Sequence, residues 1–397
     1  MSEINIEILK KSCEKNKLLS FILSKTNNLP EKIKTKTLNI INILNNEKID
    51  YSKLQKFIFE GIPDDIPSLR SLIWKILLNT LTLNESEWES TLEKNRLKYQ
   101  NLKEKYNIRL KIMKTNKKND HPLSLEKNSL WNKYFIEYNL LDDIQKDIRR
   151  TRTHMSFFFM PCSFNDNTNI TNEQISNAAM ETKKDRSQIK LNKKNFESNA
   201  DVMTRILFIY GLTHPEVKYV QGMNEILAPI FYCFSNDKNE SCLKHLEADS
   251  YITFENFMEN IKDIFIKKLD NTDKGITTRL KKLNTLIKML DYRINDQLLK
   301  YKIEMEFFAF RWLTLFFTQD FEMPDILRLW DSILSEDDIF DFMNMIMLAL
   351  IRNKTDGILN NEFAGIMSVL QDFDSISVEK LIKDAVKVRD DLNKMML

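Results

Sequence analysis

The residues best suited to chemistry stand in two short runs far apart in the chain. The first reads Ile144-Gln145-Lys146-Asp147-Ile148-Arg149-Arg150-Thr151. Asp147 and Arg150 are three apart, so on a helix they share a face. A carboxylate placed there can hold a guanidinium in one pose through charge-assisted hydrogen bonds. Thr151 and Thr153 crowd the chain just beyond, and Phe157-Phe158-Phe159 is an apolar block able to anchor it. The product is an arginine at a helix end, held from below and pointing outward. Taken alone, the spacing favours the plainer reading, a surface ion pair worth under about 1 kcal/mol. The second run is His214-Pro215-Glu216-Val217-Lys218-Tyr219-Val220-Gln221-Gly222-Met223-Asn224-Glu225, leading into apolar residues 226–234. Gly222 lets the backbone turn sharply or approach a partner closely. Tyr219 and Gln221, two apart, lie on one side of an extended segment. The Gln221 amide both donates and accepts, so it can orient a water or simply cap the helix that follows.

The elements that position these runs are read from composition and periodicity. Apolar residues make up 43% of the 397, enough for a large core and against general disorder. With only 6 Gly and 8 Pro, the turns of an all-β chain are not supplied. The charge balance is near neutral at +2, which leaves no nucleic-acid footprint. Cys13, Cys162, Cys233 and Cys242 form no close pair, and only 4 His are present. No metal site is expected, and a reducing, cytoplasmic compartment fits. No apolar run reaches the roughly 18 residues of a membrane span. The Met1-Ser2-Glu3-Ile4 start lacks signal-peptide order, and neither end carries a lipidation motif.

Along the chain, residues 1–50 read as an N-terminal helical extension. After the break at Gly61 and Pro63, Leu69, Leu72, Ile73, Ile76 and Leu77 fall on one helical face. Arg70 and Trp74, four apart, can stack. A charged helix follows from about Glu85 to Met113. Then comes His121-Pro122-Leu123, with Trp131, Tyr134 and Phe135 as a core-facing stripe. The polar segment 165–200 is expected to be a mobile insertion, dispensable for folding. Helix resumes at Ala200 and is expected to stop at Gly211. The aromatic stretch from Phe307 to Leu334 reads as a buried helical pair, with Arg328 and Asp331 expected as an ion pair inside it. Residues 351–397 supply further helices packed on the domain.

Three separated motifs now coincide in order and spacing. Ile144-x-x-Asp147-x-x-Arg150-Thr151 resembles the arginine-finger motif of TBC-domain Rab GTPase-activating proteins. Tyr219-x-Gln221-Gly222-Met223 resembles that family's glutamine-finger motif. Arg70-x-x-x-Trp74 and the block Arg311-Trp312 through Arg328-Leu329-Trp330-Asp331 resemble its flanking structural motifs. Together they span about residues 55–350, and the His121–Phe135 stretch with the C-terminal helix is similar to the smaller branch of family member thirteen. The family often has a proline shortly after the Arg-Thr, where this chain reads Thr151-Arg152-Thr153-His154. The insertion at 165–200 is also longer than usual.

The resemblance implies an all-α, two-lobed helical TBC domain over residues 51–350. It implies a GTPase activator, whose partner is a Rab-family GTPase in its GTP-bound form. Arg150 and Gln221 would be the catalytic fingers. Ile144, Asp147, Thr151, Tyr219, Gly222 and Asn224 would orient and support them, while Arg70, Trp74, Arg311, Trp312, Arg328, Trp330 and Asp331 serve structure. The hydrolysis would belong to the Rab, which carries GTP and Mg²⁺, so this chain needs no cofactor of its own. A role in vesicle trafficking follows, with peripheral recruitment to endomembranes through the Rab. The alternative is a catalytically silent helical scaffold that binds a GTPase; possession of both Arg150 and Gln221 favours catalysis.

Overall fold

The polar breaks between amphipathic stretches become helix ends. Asn16 caps the Lys17–Ser24 helix by accepting from the Leu18 and Leu19 N–H groups, and Asp50 caps Tyr51–Phe59 by accepting from Lys53. Asp338 does the same for Ile339–Asn353. A side-chain oxygen here satisfies N–H groups that the first turn leaves open. The computed structural model describes residues 6–115, 130–162, 197–270, 272, 275–373 and 376–396. Among them there is no strand, only isolated antiparallel bridges joining Lys48 to Asn84 and Pro161 to Ser198. The fold is all-α, as the periodicity requires. No helix among the described residues is long and apolar enough to cross a membrane.

The chain divides into two compact units. One combines the two ends of the sequence, Met1–Glu87 with Phe257–Leu397, and the other is the continuous middle, Trp88–Asn256. The end-built unit is organised on one buried carboxylate. Asp331 is fully buried. It accepts from Arg70 Nε at 3.1 Å and Nη2 at 3.0 Å, from the Ile62 N–H at 2.8 Å and from Trp74 Nε1 at 2.9 Å. Arg70 also donates to the Ile62 carbonyl at 2.7 Å and to Asp64. Burial pushes the Asp331 carboxyl up from its ordinary value, and Arg70 with these neutral donors acts against that. The Trp74 ring is tilted 30° to that of Trp330, with centroids 5.7 Å apart, and Trp330 donates from its indole to the Phe316 carbonyl at 3.0 Å.

Two sequence expectations change here. Arg70 and Trp74 were expected to stack on each other; what they share is an acceptor, Asp331. Arg328 does not pair with Asp331, although the two are three apart. Asp331 faces the core, whereas Arg328 points to the rim, where it bonds Glu379 and donates to Ser332 Oγ at 2.8 Å. It also lies across the Gly61 turn. Gly61 has φ +89°, and a Cβ there would come within 2.6 Å of Arg328 Nε. Arg311 bonds Asp320 at 2.6 Å, and Trp312 is buried against Phe308 and Phe373. The C-terminal Val378–Met396 helix buries Leu381, Ala385, Val388 and Leu392, and Arg389 bonds Glu336 at 2.8 Å.

The middle unit is tied by ion pairs between distant helices. Arg205 on the Asn199–Thr213 helix bonds Glu247 from Nε at 2.5 Å and Nη2 at 2.8 Å. Lys103 and Tyr99 of the Trp88–Thr115 helix reach the same carboxylate at 2.7 and 2.6 Å. Arg96 bonds Asp249 in a fork at 2.8 and 2.9 Å. The insertion expected over 165–200 lies outside the described residues up to 196, as do residues 116–129. Residues 197–200 are described and belong to the scaffold. The Cys162 N–H bonds the Glu197 carbonyl at 2.9 Å, the Asn199 N–H bonds the Met160 carbonyl at 3.0 Å, and Ser198 with Asp201 forms a capping box.

Two outcomes follow. Asp331→Ala leaves the Arg70 guanidinium buried without its main acceptor, so it should cost about 3–5 kcal/mol in denaturant unfolding; a loss below about 1 kcal/mol would mean that Arg70 finds water instead. The second concerns acid. Burial pushes the Glu247 carboxyl up, but Arg205 and Lys103 outweigh it and hold the group below its ordinary value. A carboxylate depressed in the fold contributes stability that is complete above the unfolded value, about 4.3, and is lost as pH falls through the folded value. Melting temperature measured against pH should therefore fall less steeply below about pH 4.3 in Glu247→Gln than in the parent, because the substituted amide does not titrate.

Candidate functional site

The two chemically suggestive runs meet in the middle unit. The Leu130–Arg150 helix buries Ile144, Asp147 and Ile148 on one face and leaves Arg149 and Arg150 exposed on the other. Ile144 is fully buried and fixes the rotation of the helix. Arg149 and Arg150 occupy the last turn, where positive charge complements the helix C-terminus. Thr151 ends the helix. Its N–H turns back to the Ile148 carbonyl at 3.1 Å and its hydroxyl donates to the Asp147 carbonyl at 3.0 Å. Arg152 then takes φ +40°, a left-handed geometry closed to proline at that position. Beyond it, Phe157 packs edge-on to Tyr232 at 4.9 Å, and its carbonyl accepts from Asn199 Nδ2 at 2.9 Å.

The second run leaves the Asn199–Thr213 helix at His214, whose ring stacks on Tyr210 at 4.2 Å. The Lys218 N–H returns to the His214 carbonyl at 2.7 Å, with Lys218 at φ +62°. Gly222, at φ +104°, is the N-cap of the Met223–Ser235 helix. Its N–H is taken by Asn224 Oδ1 at 3.1 Å, and the Val220 N–H by Met223 Sδ at 3.4 Å. Gln221 stands at the crest of this turn. It is exposed, and its amide has no hydrogen-bond partner among the described residues.

Two contacts join the runs across 72 and 73 residues of sequence. The Tyr219 hydroxyl donates to Asp147 Oδ2 at 2.6 Å, and Asn224 Nδ2 donates to Thr151 Oγ1 at 2.8 Å. Asp147 Oδ1 meanwhile accepts from Arg150 Nη2 at 2.5 Å. One carboxylate, its side chain 8% exposed, therefore serves both runs, while the Arg150 side chain remains 57% exposed. Burial first and the Asp147 carboxylate second push the Tyr219 phenol well above its ordinary value. It is a fixed neutral donor. Of the sequence-derived site residues, Ile144, Asp147, Arg150, Thr151, Tyr219, Gly222 and Asn224 form this linked assembly, with Gln221 at its edge. Arg70, Trp74, Arg311, Trp312, Arg328, Trp330 and Asp331 belong to the other unit.

Sequence reading misplaced one residue that matters here. Gly211 does not stop its helix, which continues to Thr213. A Cβ at Gly211 would sit 3.3 Å from Leu140 and 3.4 Å from the Tyr219 Cβ. The bare backbone lets the helix of Arg150 and the loop of Gln221 close on the same point. Its signal was a glycine amid apolar residues, ahead of the stronger break at His214-Pro215.

The geometry can now be set beside known proteins. A family profile, the Rab-GTPase-TBC domain, matches residues 160–359. TBC1 domain family member 13 of Homo sapiens is 34% identical over 394 residues, covering 90% of this chain and 98% of that protein. The chain belongs to the Rab-GTPase-TBC family. The TBC domain-containing protein C1952.17c of Schizosaccharomyces pombe is 28% identical, covering 86% of this chain and 70% of that protein. The crystal structure of the Ypt/Rab-GAP domain of Gyp1p superposes with a TM-score of 0.64 at 22% identity, covering 90% of this chain and 98% of that one, which shows a shared fold. The TBC family profile takes in Gln221 and begins beyond Arg150.

The joint between the runs is testable by itself. Tyr219→Phe removes one of the donors to a buried carboxylate and should cost about 1–3 kcal/mol in urea unfolding. Asn224→Ala should cost a similar amount. Summed losses in the double variant that match the two single variants would mean that the two bonds act independently.

Proposed function

We propose that this TBC-domain chain accelerates GTP hydrolysis on a Rab-family GTPase by presenting Arg150 and Gln221 to the bound nucleotide. The supporting observation is the shared Asp147 carboxylate. It holds Arg150 from below and, through Tyr219, holds the loop of Gln221, while both candidate fingers remain exposed. Hydrolysis is limited by charge building on the phosphate oxygens and by placement of the attacking water. An exposed guanidinium, oriented by Asp147, neutralises that charge with a planar fork of donors. The Gln221 amide, donor and acceptor at once, orients the water. Gly222 and Asn224 set the turn that carries it, and Thr151 ties that turn to the helix end. Nucleotide and Mg²⁺ come with the GTPase, and the hydrolysis is the GTPase's own. Encounter with a membrane-bound Rab would bring the chain to endomembranes and place it in vesicle trafficking.

The test is single-turnover hydrolysis with a Rab chosen by screening a purified panel. Arg150→Ala should lower stimulation about 10³-fold or more. That loss corresponds to about 4 kcal/mol of transition-state stabilisation. Arg150→Lys should restore little, because an ammonium lacks the fork geometry. Gln221→Ala should also be severe. Neither alanine variant should lose more than about 1 kcal/mol of stability. Two folded variants that stimulate at the parent rate would refute the two-finger assignment.

A further inference from the structure

Lys218 stands in the middle unit with a combination of properties that folding does not explain. Its φ is +62°. A residue with a Cβ adopts that geometry at a cost that glycine avoids. The turn itself needs only the Lys218 N–H, which bonds the His214 carbonyl at 2.7 Å, and glycine would supply that equally well. The flanking residues do the packing, with Val217 buried and Tyr219 bonded to Asp147. The Lys218 side chain is exposed, and its ammonium has no ion-pair or hydrogen-bond partner among the described residues. Strain retained at an exposed charged residue is an observation from which function can be argued.

Its location gives the chemistry. Lys218 precedes Tyr219, whose hydroxyl shares the Asp147 carboxylate with Arg150, and it stands three residues before Gln221. The exposed charges on these two runs are mainly cationic. Arg149 and Arg150 end the helix, whereas Lys146 is already neutralised by Asp142 and Asp143, and Glu216 is the one exposed acid of the loop. A cation held without a partner beside such a site is poised for an anionic oxygen on the molecule that the site receives.

We propose that Lys218 is a partner-contacting residue whose ammonium engages an anionic oxygen of the GTP-loaded GTPase beside the position reached by Gln221. The inference rests on the two-finger reading and extends it to recognition. That oxygen has two sources, a carboxylate on the GTPase surface or a phosphate of its nucleotide, and they differ kinetically. A surface carboxylate acts on association, so its loss raises KM and is masked by salt. A phosphate whose charge grows in the transition state acts on kcat.

The experiment compares Lys218→Met, Lys218→Gly and Lys218→Arg in the full chain against a responsive Rab, at low salt and at about 0.15 M ionic strength. Met and Gly should each lower kcat/KM at low salt by about tenfold, the scale of a charge that steers association, and Arg should retain most of it. A rise in KM that shrinks with salt assigns the carboxylate; a fall in kcat assigns the phosphate. The proposal is overturned if Met or Gly works as well as the parent, if Arg is as poor as Met, or if Met lowers the melting temperature, which would place the side chain in the fold. Arg150→Ala runs alongside. Undiminished stimulation by that variant refutes the two-finger reading, whereas its loss together with unchanged Lys218 variants refutes only the role of Lys218.

Discussion

Asp147 is the constraint on which the candidate site depends. A carboxylate offers several acceptor positions, and this one divides them between Arg150 from its own helix and Tyr219 from a loop 72 residues away. Burial makes the arrangement specific. A nearly buried charge must be satisfied, so the loop cannot drift from the helix without leaving Asp147 short of a donor. Gly211 completes the constraint sterically by letting Leu140 and Tyr219 approach one backbone. The two exposed groups are therefore held by contacts beneath them.

The other unit repeats the device with a purely structural result. Asp331 gathers Arg70, Trp74 and the Ile62 N–H at full burial. Its guanidinium partner is 91% buried as a side chain, whereas that of Asp147 is more than half exposed. The same pair of residue types thus reads as core in one unit and as a presented group in the other. What separates them is the exposure of the arginine.

Much of this was legible in the sequence, and the boundary between what was and was not is physical. Helix periodicity marked the elements because apolar faces must be buried. The Asp147–Arg150 spacing was readable because a helix brings i and i+3 together. The same rule misassigned Arg328 to Asp331, since sharing a face does not fix which way each side chain turns. Asp331 turned inward to Arg70 and Arg328 outward to Glu379. The Tyr219–Asp147 and Asn224–Thr151 bonds had no local signature, because residues 72 and 73 apart meet only through the tertiary fold. Gly211 was misread for the same reason. Glycine as a helix stop is a local rule, and its use here as a gap between packed elements is not local. The left-handed backbone at Lys218 and Arg152 carried no warning in residue type at all.

The division of the chain bears on how the molecule is made. The middle unit is one continuous stretch, so all of it is synthesised before residues 257–397 of the other unit. The other unit is built from both termini, and Arg70 meets Asp331 only across 261 residues. At about 5–20 residues per second, that interval is roughly 13–52 s of synthesis. For that time the helix of Arg70 and Trp74 has emerged without the carboxylate that satisfies both. The N-terminal helices must wait, with the apolar surface that residues 257–397 cover still open, while the middle unit is made. Demand for chaperones during that interval should therefore fall on residues 1–87.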